Sequence, residues 1–247
     1  MQLSDNTILI TGGASGIGLA FAQRFAREGN TVVVCGRRED VLARAKAETP
    51  ALHTLVADVS TPEGREALFQ NATRALPQLN VLVNNAGIQR RVSLLEGEPW
   101  DATHSELSTN LEAPIHLCQL FLPHLRQQPR AAILNVTSGL SFAPLANVPV
   151  YCATKAALHS FTLSLRHQLR ETNVEVVEII PPAVDTDLGG PGLHTFGEPL
   201  DAFADGIFAG LREGKQEVAY GMALKSSRAS RDELDAISSA MNARLGS

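Results

Sequence analysis

The residues T-I-L-I-T-G-G-A-S-G-I-G, positions 7–18, decide the fold. Thr7–Ile10 is a short β-branched and apolar run, the composition of a buried strand in a parallel sheet. A glycine turn follows at once. After it comes a helical pattern that places Ile17, Phe21 and Phe25 on one stripe and stops at Gly29-Asn30. Gly12 lets the chain turn tightly, Gly16 lets backbone approach a pyrophosphate, and Gly18 lets the helix close on the strand. The helix N-terminus then offers N–H groups and the positive end of its dipole to phosphate. A glycine-rich turn alone is often only a loop; between this strand and this helix it reads as a nucleotide site.

Outward from that unit the pattern repeats. A second strand, Thr31–Cys35, ends in Gly36-Arg37-Arg38. An acidic residue at this point would accept hydrogen bonds from a ribose 2′-OH, whereas arginine accommodates a 2′-phosphate. Gly36 stands in place of a carboxylate and two arginines follow, which favours NADP(H) over NAD(H). The same arginines would also serve as solvated caps of the next helix, Glu39–Ala47. His53–Val56 reads as the third strand, followed by Asp58-Val59 and a helix starting at Pro62-Glu63. Val81–Val83 is the fourth, running into Asn84-Asn85-Ala86-Gly87, where small residues let the loop pass close to a flat ring or ribose. One long helix is expected over Asp101–Leu125, then strand Ala131–Val136, helix Tyr151–Arg170 and strand Val174–Ile180, ended by Pro181-Pro182. A short helix near Ala202–Leu211, a strand Glu217–Tyr220 and an amphipathic helix near Asp232–Leu245 complete the chain.

Strands alternating with helices imply a doubly wound parallel sheet covered on both faces. With neither linker nor internal repeat, residues 1–247 read as a single α/β domain. Gly189, Gly190, Pro191, Gly192 and Gly197 crowd the stretch after the sixth strand, marking a lid-like loop around 187–205.

The chemistry concentrates in Asn135–Lys155. Tyr151 and Lys155 are four apart at the start of a helix and so share a face, and Ser138 sits where the fifth strand gives way to a loop. A free phenol has a pKa of about 10, too high for work near neutrality. A neighbouring ammonium favours phenolate, so Lys155 is expected to draw Tyr151 toward the operating range. Y-x-x-x-K by itself is common, and a tyrosine opening a helix is more often an amphipathic surface residue.

Bulk properties bound the alternatives. A chain of 247 residues, 44% hydrophobic with net charge −5, gives no support for nucleic-acid or anionic-membrane binding. No apolar run approaches the roughly 20 residues needed to cross a bilayer, and M-Q-L-S-D-N lacks the features of a signal peptide. Cys35, Cys118 and Cys152 are widely spaced and read as packed residues in a reducing compartment, so a cytoplasmic location is expected. The seven histidines lack metal-ligand spacing.

Taken together, T11-G-G-A-S-G-I-G18, Asp58, N84-N-A-G87, Asn110, Ser138, Y151-C-A-T-K155 and the P-x-x-x-D-T run ending at Thr186 resemble the short-chain dehydrogenase/reductase family over nearly the whole chain. The resemblance implies a seven-stranded Rossmann sheet of order 3-2-1-4-5-6-7. It implies Tyr151 as general acid/base and Lys155 holding the nicotinamide ribose and lowering the phenol. Ser138 would polarise the substrate carbonyl, and Asn110 would keep a water-linked proton route. It also implies cofactor contacts from Gly12, Ser15, Gly16, Ile17 and Gly18 in the turn and from Asp58 and Val59 at adenine. Asn85, Ala86 and Gly87 would line the ribose side, with Pro181 and Val184 beside Thr186, which would hold the carboxamide. The family usually has Pro-Gly after the sixth strand; Pro182 here fixes φ and removes an N–H donor. The run E178-I-I-P-P-A-V-D-T-D-L188 is similar to a bacterial subgroup labelled after the teichoic-acid D-alanylation operon.

The function expected is an NADP(H)-preferring oxidoreductase acting on a small carbonyl or alcohol substrate. A non-catalytic NADP-binding sensor or scaffold has no need of all four polar site residues. A sugar epimerase or dehydratase usually carries a larger C-terminal part than follows Thr186. Arg90 and Arg91 could meet an anionic substrate or be a solvated pair; Leu140, Phe142, Leu145 and Val148 could wall an apolar pocket or equally pack under the lid. Apolar excess on the Asp101–Leu125 and Tyr151–Arg170 helices, with family habit, predicts a homodimer or homotetramer.

Overall fold

The computed structural model describes residues 1–97 and 99–243. Seven strands form one sheet: β1 (Thr7–Thr11), β2 (Thr31–Gly36), β3 (His53–Val56), β4 (Val81–Asn84), β5 (Ala131–Val136), β6 (Val174–Ile180) and β7 (Glu217–Ala219). Their order is β3-β2-β1-β4-β5-β6-β7 and every neighbouring pair is parallel, the Rossmann arrangement anticipated from the motifs. Strand alternation sends Ile8, Ile10, Val32, Val34, Val81 and Val83 into one layer with Phe21, Phe25, Phe203 and Phe208. Leu9, Val33, Leu82 and Ile133 enter the opposite layer with Leu68, Phe121 and Leu165. The helices that close these layers are α1 (Gly16–Arg27), α2 (Glu39–Glu48) and α7 (Leu200–Arg212) on the first face. On the second they are α3 (Pro62–Ala75), α5 (Ala113–Leu125) and α6 (Pro149–Leu169). Phe25 and Phe208 meet at 4.7 Å and Phe21 and Phe203 at 6.0 Å, locking α1 to α7. Burying each ring stabilises by roughly 1.5–3 kcal/mol, so the glycine turn at the head of α1 rests on a firm base.

The chain runs from β1 outward through β2 to β3, then returns to β4 on the other side of β1. Strand order therefore reverses between β1 and β4, and the crevice at their carboxyl ends is where such sheets take ligands. Both the 11–18 turn and the 84–87 loop lie there.

Three expectations need correction. The helix expected over Asp101–Leu125 is broken: α4 (Trp100–Leu107) passes into a π turn at Ser108–Glu112 before α5 begins. Pro114 supplies the reason, because it has no N–H to return to the Asn110 carbonyl four residues earlier. The lid-like stretch 187–205 is also too long, since Leu200–Arg212 is helical. Backbone bonds from Asp185 to Glu198 (2.9 Å) and from Glu198 to Ala183 (2.9 Å) tie the loop's base. A short helix α8 (Gly221–Ser226), absent from the sequence reading, follows β7 directly. The final helix α9 spans Arg231–Ala243, and the expected end at Leu245 lies outside the described residues. Among the described residues no helix is long and apolar enough to cross a membrane.

Candidate active site

The glycine turn is a cradle built for backbone contact. Gly12 (φ +61°) and Gly16 (φ +51°) occupy the left-handed region, which costs glycine nothing and other residues a good deal. Ser15 caps α1 in an extended conformation without a side-chain cap bond, so the first N–H groups of the helix are not consumed by it. Across the crevice Thr186 faces Gly16: a methyl group added there would sit 3.5 Å from Thr186 Cγ2. Thr11 links this turn to the next loop, its hydroxyl accepting the Asn85 and Ala86 N–H groups at 3.0 Å each and donating to Val83. Asn85 returns its Nδ2 to the Thr11 and Gly12 carbonyls at 2.9 and 3.1 Å. Donors and clearances of this kind fit the diphosphate and ribose of a dinucleotide. Sequence reading missed Thr11, whose short side chain at a strand's end is the signal that could have marked it.

A β-carbon at Gly18 would lie 2.3 Å from the Gly12 carbonyl oxygen and 2.5 Å from Asn85 Nδ2. Backbone cannot yield as a side-chain tip does, so Gly18→Ala is expected to cost about 1–3 kcal/mol and to weaken coenzyme binding. Gly36, where a β-carbon meets nothing within 4 Å, is the control: Gly36→Ala should stay within about 0.5 kcal/mol of wild type. Thermal melts of the two variants decide; equal melting temperatures would show that the close approach at residue 18 is not real.

Past the carboxyl end of β2, Arg37 reaches Asp58 at 4.0 Å while its side chain remains 56% exposed. Arg38 is the first residue before α2, its carbonyl accepting from Leu42. Asp58 folds back on the chain, accepting from Ser60 N–H (2.9 Å) and Ser60 Oγ (2.7 Å), with Val59 buried behind it. The corner thus presents two cations and one carboxylate at the end of β2 and β3.

Four polar side chains converge beyond β4 and β5. Tyr151 is the third residue of α6 and Lys155 lies one turn on; both are buried, with Nζ 5.7 Å from the ring centroid. Lys155 donates to the Val136 carbonyl at 2.8 Å, which fixes α6 to the end of β5. Ser138 caps the turn Gly139–Ser141 by accepting from Leu140 N–H at 3.1 Å, close enough to Tyr151 to favour its phenolate. Asn110 accepts from Ile88 N–H (2.9 Å) and donates to the Ile88 carbonyl (2.8 Å) and Thr154 Oγ1 (3.3 Å). Its amide is therefore engaged in holding the loop after Gly87. Two of the four meet at Gly87, where a β-carbon would lie 3.5 Å from Asn110 Oδ1 and 3.7 Å from Lys155 Nζ. Pro181 and Val184 are buried beside this group; Pro181 accepts from Gly139 N–H at 2.8 Å and Thr186 donates to the Val184 carbonyl at 3.3 Å.

Electrostatics differ from the sequence expectation. Burial pushes the Tyr151 phenol up, outweighing Ser138, instead of Lys155 drawing it down. Burial also lowers the Lys155 ammonium to about 8. A second buried acid, Glu106, lies one turn before Asn110; burial pushes its carboxyl up to about 7, with Arg90 opposing. Arg90 therefore sits beside a carboxylate, while Arg91 is exposed. Leu140, Leu145 and Leu188 pack against the cluster of Val148, Tyr151 and Cys152, which brings Leu188 of the loop after β6 to this site. Phe142 instead stacks edge-on against His159.

Comparison with known proteins gives this arrangement its kin. The sequence pattern described as "short chain dehydrogenase" matches residues 6–193. An uncharacterized oxidoreductase, DltE, of Bacillus subtilis strain 168 is 48% identical over 248 residues, 98% of each chain. A short-chain dehydrogenase from Burkholderia cenocepacia J2315, solved with NADP, superposes with a TM-score of 0.84 over 96% of this chain and 99% of its own, at 24% identity. One from Burkholderia phymatum, solved with NAD, gives 0.83 over 96% of each chain at 23% identity. Fold, crevice and sequence kinship agree: the chain belongs to the short-chain dehydrogenase family of oxidoreductases.

Proposed function

We propose that this protein is an NADP(H)-preferring oxidoreductase that interconverts a small carbonyl and the corresponding alcohol, with Tyr151 as general acid/base. The meeting of Lys155 and Asn110 at Gly87, with Tyr151 beside Lys155 and Ser138 beside Tyr151, at the end of a glycine-lined crevice, carries this reading. The nicotinamide coenzyme, when bound, supplies or accepts the hydride. The turn around Gly12, Ser15, Gly16, Ile17 and Gly18 would hold its diphosphate, Asp58 and Val59 its adenine side, and Asn85, Ala86, Gly87 and Lys155 its ribose. Pro181, Val184 and Thr186 would line the carboxamide.

The residues of the chain do the proton work. Ser138 hydrogen-bonds the substrate oxygen and holds it against the Tyr151 hydroxyl. Tyr151 gives its proton to that oxygen as negative charge develops there, and burial keeps the phenol in the protonated form this needs. Lys155, held by Val136, stabilises the phenolate left behind. Asn110 contributes through its main-chain carbonyl, deprived of its helical donor by Pro114 and suited to hold a water that replenishes the proton. The loop 187–199 would act as a lid through Leu188. Leu163, 41% exposed on α6, marks the face on which a homodimer or homotetramer would assemble, whereas Leu158 is buried within its own chain.

Turnover of a broad aldehyde and ketone panel with NADPH and with NADH tests the proposal directly. Replacing Arg37 and Arg38 together by serine should lower kcat/KM for NADPH by about 10- to 100-fold, the loss of one or two charge-assisted bonds to a 2′-phosphate, and leave NADH within about twofold. A coenzyme ratio unchanged in the double variant would remove the basis for NADP preference.

A further inference from the structure

Strand β6 carries a residue out of keeping with its surroundings. Val174 and Val176 point into the α6 side of the core, and period two sends Glu178 the same way, where it is fully buried. An isolated carboxylate there would be prohibitively costly, so its partners are informative. Thr137 Oγ1 donates to Glu178 Oε1 at 2.6 Å. His159 Nδ1 lies 2.9 Å from both carboxylate oxygens. The His159 imidazole is raised above its ordinary range, first by this hydrogen bond; Glu217 adds to the effect and Arg166 opposes it.

The chain positions of these partners matter more than the ion pair. Thr137 immediately precedes Ser138, and the backbone on either side of Ser138 is tied to the end of β6: Thr137 N–H to Ile179 (2.9 Å) and Gly139 N–H to Pro181 (2.8 Å). His159 follows Lys155 by four residues and Tyr151 by eight, on the same face of α6. Phe142, from the loop after Ser138, packs edge-on against the His159 ring at 4.7 Å. One carboxylate is thereby the common anchor of the loop bearing Ser138 and the helix bearing Tyr151 and Lys155.

We infer that Glu178, with His159 and Thr137, is a buried brace that sets the distance between Ser138 and the Tyr151–Lys155 pair, making these three positioning residues for catalysis. The inference rests on the function proposed above and adds residues that touch neither substrate nor coenzyme. A buried ion pair of this kind need not add stability, because apolar replacements of similar volume are often neutral or stabilising. Positioning and stability can therefore be separated.

The test is the double variant Glu178→Val/His159→Leu, which leaves no unpaired charge behind, compared with Glu178→Gln and Thr137→Val. NADPH and its adenine-half fragment 2′,5′-ADP are titrated against each, with thermal melts alongside. The fragment lacks the nicotinamide ribose and so does not sense Lys155. The brace predicts a melting temperature at or above wild type and NADPH binding weakened about tenfold, with 2′,5′-ADP unchanged within about twofold. It also predicts kcat lowered about 100-fold. Glu178→Gln, which keeps both hydrogen bonds, should restore NADPH binding to within about threefold, and the isosteric Thr137→Val should show a smaller loss in the same ratio. Should the double variant not fold, Thr137→Val alone decides by that ratio. NADPH binding unaltered in the variants, or both ligands weakened in parallel, would overturn the brace. Wild-type protein that reduces no carbonyl with either coenzyme would instead refute the function proposed above, and the binding comparison needs no substrate.

Discussion

Tyr151→Phe should lower both kcat and kcat/KM by about 10³- to 10⁴-fold, with coenzyme affinity within about twofold of wild type. The substitution removes one oxygen. The ring that remains still belongs to the apolar cluster with Val148 and Cys152, against which Leu140, Leu145 and Leu188 pack, so that packing survives. Lys155 still has its bond to the Val136 carbonyl, and Asn110 still holds Ile88. What disappears is the group that the proposed mechanism makes the proton donor to the substrate oxygen. Ser138 cannot substitute, since a serine hydroxyl is far too weak an acid to release its proton at useful rates and here it accepts from Leu140. An interaction made only as the transition state forms is lost from kcat and kcat/KM equally, and that parallel loss is the signature to seek in steady-state kinetics. A variant within about tenfold of wild type would mean that another acid serves the reaction, and Glu106, its carboxyl pushed up to about 7, would be the first to examine.

Much of this site is legible in the sequence, for a physical reason. A parallel sheet demands buried runs, and T-I-L-I, T-V-V-V-C and A-A-I-L-N-V announce themselves as such. Glycines forced by backbone approach are equally plain, because Gly12 and Gly18 have no room for a methyl group. What escapes the sequence is whatever depends on elements distant in the chain. The π turn at Ser108–Glu112 is hidden by an apolar periodicity that continues through it, although Pro114, without an N–H, was a usable warning. Glu178 interrupts the apolar face Val174–Val176–Ile180, yet nothing local says that Thr137 and His159 await it. The direction of the Tyr151 shift is hidden for the same reason. Four-residue spacing reveals the cation and says nothing of how deeply both groups are buried. The start of α7 at Leu200 was masked by the glycine-rich stretch before it and by Pro199, which fits the position just ahead of a helix as readily as a loop.

Lys155→Met should abolish useful turnover and, at the same time, make the protein more stable. The ammonium is buried and donates to the Val136 carbonyl at 2.8 Å, and among the described residues no carboxylate forms an ion pair with it. Burial lowers it from 10.5 to about 8, and the sign of the consequence follows from proton counting. Between about pH 8 and pH 10.5 the unfolded chain holds a proton that the native one has released, so stability rises with pH across that window; below it the whole penalty is present. The penalty is about 3 kcal/mol at neutral pH by the ordinary conversion of such a shift. Methionine has similar length and no charge, so it relieves that penalty and forfeits only the bond to Val136, about 1 kcal/mol. A net gain of about 2 kcal/mol should raise the melting temperature by roughly 4–8 °C at pH 7 in a chain of this size. The difference should shrink above pH 8, close about one and a half units higher and reverse slightly beyond that, as wild-type lysine sheds its proton but keeps its bond to Val136. Turnover should fall by about 10²- to 10⁴-fold, because the phenolate left on Tyr151 loses its counter-charge. Such a trade, stability given up to keep a buried charge beside a proton donor, is what a reactive site requires of its fold and a purely structural lysine does not. Melting curves of the two proteins from pH 7 to pH 10 settle it. A methionine variant that melts below wild type at pH 7, or a gap that stays constant with pH, would show that Lys155 bears no such burden.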